Sequence, residues 1–262
     1  MSVMERDLGV LEGDLLLFGG PYSNLQATEA LFNETKHIKR ENRICTGDLV
    51  AYCADAGKTA ELVLSEAGVV IAGNCEIQLA KGADDCGCGF EDGTACDLAS
   101  GAWYAHASTQ VAHLRKTFAA LPERVFFEHE GRRCVVIHGG ASHVARFIWE
   151  IDQEDIFRQE INALGPEVDV VISGHSGIPF QKTIDDVLWV NAGVIGMPPH
   201  DGRATTRYVI ASGGAFTLHE LAYDFETAAL RMEAVGLRQG YESGLRTGIW
   251  PSEDVLPQAL RR

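Results

Sequence analysis

The sequence predicts an α/β fold that starts as a parallel sheet and ends in antiparallel strands. Two observations carry that prediction. First, short apolar runs repeatedly stop at a glycine and a polar residue: Ile44 to Gly47-Asp48, Val69 to Gly73-Asn74, Cys134 to His138-Gly139, Val168 to Gly174-His175, and Leu188 to Asn191-Ala192-Gly193. Near-continuous apolar runs of this length fit strands covered on both faces better than a helical stripe. Second, helix-length stretches separate the early runs, whereas the late ones are short and joined by turns such as Asp185-Asp186 and Gly213-Gly214. The first arrangement calls for parallel strands, and the second for hairpins.

In chain order, residues Asp14 to Phe18 form a first strand, and Gly19-Gly20-Pro21-Tyr22 turns into a helix that Ser23 or Asn24 caps. That helix places Leu25, Leu31, Phe32 and Ile38 roughly on one face. A second strand ends at Asp48, residues Gly57 to Ala67 form a helix carrying Leu62 and Leu64, and a third strand reaches Gly73-Asn74. These three strands are expected to be parallel with right-handed crossovers. Leu79 to Ser100, rich in glycine and acid and containing Cys86, Cys88 and Cys96, reads as a loop excursion. Trp103 to Ala120 reads as a helix stopped by Leu121-Pro122. Val125 to Glu130 and Arg133 to Ile137 make a hairpin around Gly131 that feeds into His138, and Gln153 to Leu164 is a helix. Thr183-Ile184, Val187 to Val190, Arg207 to Ala211 and Phe216 to Tyr223 are expected to form an antiparallel meander completing a second sheet. A helix from Phe225 to about Val235 and a tail punctuated by Gly and Pro finish the chain. With no internal repeat or low-complexity linker, residues 1–262 are expected to form one domain with a Cys-containing insertion at about 79–101.

Composition narrows the function. The 37 acidic against 22 basic side chains give a formal charge of -15, which argues against sequence-independent binding to nucleic acid backbone or anionic membrane. A phosphorylated small substrate would then need a local cation, and a bound metal is the simplest. No apolar run approaches a membrane span, and the start, Met1 to Asp7, lacks the layout of a signal peptide, so the expected location is cytoplasmic. In a reducing compartment the seven cysteines read as free thiols or metal ligands rather than disulfides.

The polar residues at the strand ends supply the candidate chemistry. Ligands of open α/β sheets sit beyond the carboxyl ends of the strands, so Asp48, Asn74, His138 and His175 are expected to share one crevice. One carboxylate, one amide oxygen and two imidazoles form a mixed N/O set suited to one divalent transition metal, Fe, Mn, Zn or Ni, rather than to Ca or Mg. Taken singly, each is equally well a turn or cap group; together at matched strand ends they favour a metal.

In order, Phe18-Gly19-Gly20-Pro21-Tyr22-Ser23-Asn24-Leu25-Gln26-Ala27, Gly47-Asp48, Gly73-Asn74-Cys75-Glu76, His138-Gly139 and Gly174-His175-Ser176-Gly177-Ile178-Pro179 resemble the calcineurin-like metallophosphoesterases. The likeness is to their small bacterial and archaeal phosphodiesterase branch, and Asn191 to Gly196 looks like that branch's glycine turn. The resemblance implies a four-layer α/β sandwich of two mixed β-sheets flanked by helices, the metallo-dependent phosphatase-like fold. It also implies two metals bridged by the aspartate matched by Asp48, with Asn74, His138 and His175 on one of them. The departures fall on the other metal. The family's first-motif aspartate and histidine are here Gly20 and Tyr22, its final histidine is Gly177, and the histidine that serves the leaving group is Cys75. The sequence keeps one metal site and dismantles the other.

The expected function is therefore a metal-dependent phosphoesterase-like hydrolase acting on a small phosphomonoester or phosphodiester through the retained half site. The alternatives are a non-catalytic nucleotide- or partner-binding pseudo-phosphatase and a Cys-based metal or redox sensor. No catalytic residue is assigned; Tyr22, Asn24, Cys75 and His200 are crevice candidates. Tyr22 either serves a ligand or fills the space of the lost metal, and Cys75 is either a reactive thiolate or a small buried side chain. Cys86, Cys88 and Cys96 are candidates for a second metal or redox cluster, with free thiols as the plainer reading; the C-x-C spacing departs from that of structural zinc sites.

Overall fold

A computed structural model describes residues 3–89 and 93–262. Phe90, which closes the cysteine loop, and the first two residues of the chain lie outside the described residues.

The strands are β1 (Glu5–Val10), β2 (Leu15–Phe18), β3 (Arg43–Cys45), β4 (Val69–Val70), β5 (Arg124–His129), β6 (Arg132–Val136), β7 (Val170–Ser173), β8 (Phe180–Ile184), β9 (Val187–Asn191), β10 (Thr206–Ser212) and β11 (Ala215–Leu221). The helices are α1 (Leu25–Glu34), α2 (Ala56–Glu66), α3 (Asn74–Lys81), α4 (Ala95–Gln110), α5 (Arg115–Phe118), α6 (Glu154–Asn162), α7 (Phe225–Ala234) and α8 (Tyr241–Thr247). Two mixed sheets result, ordered β1-β5-β6-β7-β9-β8 and β11-β10-β2-β3-β4. As expected, β2, β3 and β4 are parallel, with Leu17 beside Ile44 and Ile44 beside Val69.

Strand alternation explains the layering. Leu15, Leu17, Ile44 and Ile71 from one sheet share a core with Val125, Phe127, Val136, Val170, Ile172 and Val190 from the other. The intervening residues Leu16, Phe18 and Cys45 turn the opposite way, into a core with Leu31, Val63 and Trp103 from the helices. On the far side of the first sheet, Val135, Val171 and Trp189 pack on Phe157 of α6. Both faces of the central strands are covered, which is why their runs read as uninterrupted apolar sequence.

The structure corrects several expectations. The late strands do not form one meander: the β8–β9 hairpin joins the first sheet, where β9 runs parallel to β7, while the β10–β11 hairpin joins the second, antiparallel to β2. Alternation identifies a hairpin but not the sheet edge that it completes. The loop excursion is shorter than expected, because α3 runs on to Lys81 and α4 already begins at Ala95. Glu76, three residues after the N-cap Gly73, accepts that residue's N–H, the one half of a capping box that a glycine cap allows. The helix expected from Trp103 to Ala120 breaks after Gln110, passes through a 3₁₀ turn at Ala112–Leu114, and resumes as the single turn α5. Two elements went unread: the exposed edge strand β1, whose one partly buried residue is Leu8, and α8 in the tail.

Candidate metal centre

The crevice lies beyond the carboxyl ends of β3, β4, β6 and β7. After β3 the chain turns through Thr46 and Gly47 to Asp48, which adopts φ 55°. A Cβ on Gly47 would lie 2.6 Å from the Gly73 nitrogen, so the two loops approach as closely as glycine permits. Glu76, fully buried, clasps them: its carboxylate accepts from the backbone N–H of Asp48 (2.8 Å), Leu49 (2.9 Å) and Gly73 (2.9 Å). Burial and the neighbouring Asp48 carboxylate push the Glu76 carboxyl up to about 7, against the pull of those N–H groups.

The four strand-end residues converge. His138 donates from Nδ1 to the Thr46 carbonyl at 2.6 Å, which leaves Nε2 unprotonated in the neutral ring. Around that nitrogen stand Asn74 Oδ1 at 3.0 Å, His175 Nδ1 at 3.0 Å and Asp48 Oδ2 at 3.2 Å. The Asn74 amide is oriented from behind, since Nδ2 donates to the Cys86 carbonyl at 2.8 Å and thereby turns Oδ1 inward. Asp48 Oδ1 accepts from the Cys75 N–H at 3.3 Å, and Asp48 Oδ2 lies 3.8 Å from His175 Nδ1. Asp48, His138 and His175 are all buried, and their ligand atoms lie within 4.8 Å of one another.

Buried lone pairs facing one another without donors are costly, and one cation satisfies all of them. The donor set thus fits a divalent transition ion, and the bonds from His138 Nδ1 to the Thr46 carbonyl and from Asn74 Nδ2 to the Cys86 carbonyl are of the kind that orient metal ligands. Burial opposes charge on His138, but the Asp48 carboxylate outweighs it and raises the pKa. Burial lowers that of His175, and the adjacent His138 reinforces the shift. Burial alone would raise the Asp48 carboxyl, yet the two imidazoles hold it well below the usual carboxylate range.

The opposite bank is filled. A Cβ on Gly20 would lie 2.5 Å from Val194 Cγ1 and 2.7 Å from the Tyr22 ring; one on Gly177 would lie 3.3 Å from the Trp250 indole. Tyr22 is buried, donates to the His175 carbonyl at a long 3.5 Å, and meets the Tyr52 ring edge-on at 4.8 Å. Asn24 caps α1, accepting from the Ala27 N–H and donating to the Gly196 carbonyl, so its side chain is occupied by structure. His200 stands between Glu253 Oε1 (2.8 Å) and the Trp250 N–H (2.9 Å), tying the tail to the crevice rim. Cys75 is a free, buried thiol whose pKa burial pushes well up. Cys86 and Cys88 pair in a disulfide, whereas Cys96 lies in the crevice wall with Tyr241 and Ser252. The structure therefore does not gather the three cysteines as ligands, since the first two sulfurs are bonded to each other. Sequence reasoning passed over Glu76 as a clasp, although its position three residues past Gly73 is a capping signal; nothing in the local sequence marks Trp250.

A family model for the calcineurin-like phosphoesterase superfamily domain matches residues 22–212. The chain belongs to that superfamily. Solved structures agree in fold. A metallophosphoesterase from Sphaerobacter thermophilus is 20% identical, with a TM-score of 0.71 over 91% of this chain and 100% of its own. A hypothetical protein from Pyrococcus horikoshii OT3 is 15% identical, with a TM-score of 0.74 over 90% of this chain and 98% of its own. A putative diadenosine tetraphosphatase is 14% identical, with a TM-score of 0.51 over 84% of this chain and 99% of its own. No curated protein matches the sequence. The superfamily match ends at residue 212. α7, α8 and the tail therefore lie beyond it, although Tyr241 and Trp250 from that part line the crevice.

Proposed function

We propose that this calcineurin-like phosphoesterase is a hydrolase of small phosphate esters that works with a single divalent metal ion. Asp48, Asn74, His138 and His175 would hold the ion. The observation that carries the proposal is the convergence on His138 Nε2, where an amide oxygen, an imidazole nitrogen and a carboxylate oxygen stand 3.0–3.2 Å away. An ion there would polarise a phosphoryl oxygen and make a water more acidic. The chain's own residues set the limits of the reaction. Thr46 fixes the His138 tautomer, Cys86 fixes the Asn74 amide, and Glu76 holds the Asp48 turn. Cys75 does not supply a leaving-group proton at neutral pH, because burial holds its thiol far above that range. The proposed substrates are accordingly esters whose leaving group departs without protonation, such as aryl phosphates.

Protein loaded with Mn, Fe or Zn is expected to hydrolyse nitrophenyl phosphates or members of a nucleotide panel, and His175→Ala to lose both metal and turnover. Absence of turnover with every metal, together with unchanged metal binding in His175→Ala, would overturn the proposal. The filled opposite bank favours a second reading, a binding protein that keeps the fold without the chemistry. Tight ligand binding without turnover in metal-loaded protein is the result that selects it. In either case the expected partner is a small phosphorylated ligand. No helix among the described residues is long and apolar enough to cross a membrane.

A further inference from the structure

Of the four candidate ligands, Asn74 alone is an amide, with one end that can face a cation and one that cannot. Its Oδ1 stands 3.0 Å from His138 Nε2, while its Nδ2 faces the loop between α3 and α4. There the nitrogen donates to the Cys86 carbonyl at 2.8 Å and to Cys88 Sγ at 3.3 Å. The two N–H groups of the amide are thus met by one pair of residues, and a disulfide joins that pair. Cys75 Sγ, a free thiol, lies 3.7 Å from the same nitrogen.

The cross-link closes across a single residue, Gly87, whose φ of 63° glycine adopts at little cost. A ring this small takes little freedom from the unfolded chain and so adds little to global stability. Its effect is local: it holds the Cys86 carbonyl and Cys88 Sγ together on one side of Asn74. Freed from those partners, the amide can turn and present Nδ2, a donor, where an ion needs an acceptor. Both cysteines are buried, but Asp84, Asp85 and Gly89 beside them are exposed, so the bond lies just beneath the surface of its loop.

From this juxtaposition we infer that the Cys86–Cys88 disulfide is a redox control on the metal centre: when formed it aims Asn74 Oδ1 at the ion, and when reduced it releases the amide and weakens metal binding. The inference rests on the metal reading above and concerns the regulation of that same centre. The co-reactant is a dithiol. In two thiol–disulfide exchanges the bond between the two Sγ atoms breaks and takes up two electrons, Cys86 and Cys88 each gain a proton as thiols, and the dithiol loses two protons as it closes to its own disulfide.

The test measures the manganese affinity of the full chain, first oxidised and then reduced with dithiothreitol that is removed under anaerobic conditions. Manganese suits carboxylate and carbonyl oxygens rather than thiolates, so the freed thiols do not recruit it. Alkylation of denatured samples identifies the two states: five cysteines should react before reduction and all seven after it. The reduced protein should bind manganese at least about tenfold more weakly, the effect of losing a partner behind a ligand, while its metal-free unfolding midpoint hardly moves. The double variant Cys86→Ser, Cys88→Ser keeps the backbone carbonyl and should match reduced wild type with or without the dithiol. In Asn74→Ala the ratio between oxidised and reduced affinities should fall to one, because the route through the amide is gone; a merely structural bridge would leave that ratio in place. Equal affinities in the two states, seven reactive cysteines before reduction, unfolding on reduction, or an undiminished ratio in Asn74→Ala overturns the redox control and leaves the metal reading standing. No manganese bound in either state overturns both.

Discussion

Gly177→His restores the residue type that the family resemblance places at that position, and the structure predicts that it fails to restore a second metal site. Two terms set the magnitude. Gly177 has φ 78°, and a side chain in the left-handed region costs about 1–2 kcal/mol. Its Cβ would lie 3.3–3.4 Å from Trp250 Cζ2 and Cη2, in a wall where overpacking costs roughly 1–3 kcal/mol. Together these give a loss of about 3 kcal/mol, or a fall in Tm of about 6–12 °C for a chain of this size. The assay is thermal and denaturant unfolding of wild type, Gly177→His and Gly177→Ala, with Gly131→Ala as control. Gly131 has a similar φ of 71° but would meet nothing within 4 Å, so its substitution carries the backbone term alone. Gly177→Ala should therefore be the more destabilising of the two alanine variants, and Gly177→His should gain no ion. A Gly177→His protein as stable as wild type that binds one ion more would refute the reasoning.

Further outcomes follow from the same contacts. Asn74→Ala removes both an inward oxygen and the donor to the Cys86 carbonyl. Loss of outer-shell partners alone weakens metal binding about 10–100-fold, so this variant should lose at least tenfold in a metal titration. Metal affinity should fall as pH drops through the raised pKa of His138, because the proton and the ion compete for the same Nε2; a competition titration between pH 5 and pH 8 with no such fall would contradict that assignment. Metal-free protein should lose stability as pH rises from the ordinary glutamate range to about 7: Glu76 has its pKa raised in the folded state, so folding takes up a proton within that window and none above it, where the stability is lost. Glu76→Gln should abolish that slope in denaturant titrations. Leu17→Ala, between the sheets, should cost about 2–5 kcal/mol with no change in metal stoichiometry, measured by urea unfolding and elemental analysis.

Much of the architecture was legible because burial on both faces leaves a plain signature. The runs through Ile44, Val70, Val135 and Ile172 are apolar since one face of each sheet meets the other sheet and the opposite face meets helices. The same logic made the strand ends readable, and the structure brings Asp48, Asn74, His138 and His175 together there. What was not legible depended on long-range choices. Which sheet the last hairpin joins is decided by a partner more than a hundred residues away, β2 beside β10. β1 carries no apolar run because it is an exposed edge, held by backbone pairing to β5. Trp250 enters the crevice because His200 and Pro198 hold it from 50 and 52 residues upstream, a relation that local spacing does not contain. The clasp by Glu76 lies between these cases: its capping role is written locally, but its bonds to Asp48 and Leu49 are not.

The central claim is that one bank of the crevice holds an ion and the other is closed by side chains. Elemental analysis of the protein reconstituted with excess manganese and freed of loosely bound metal tests it most directly. The account predicts one ion per chain, lost in His138→Ala. Two ions per chain, or one ion that persists in His138→Ala, would contradict it.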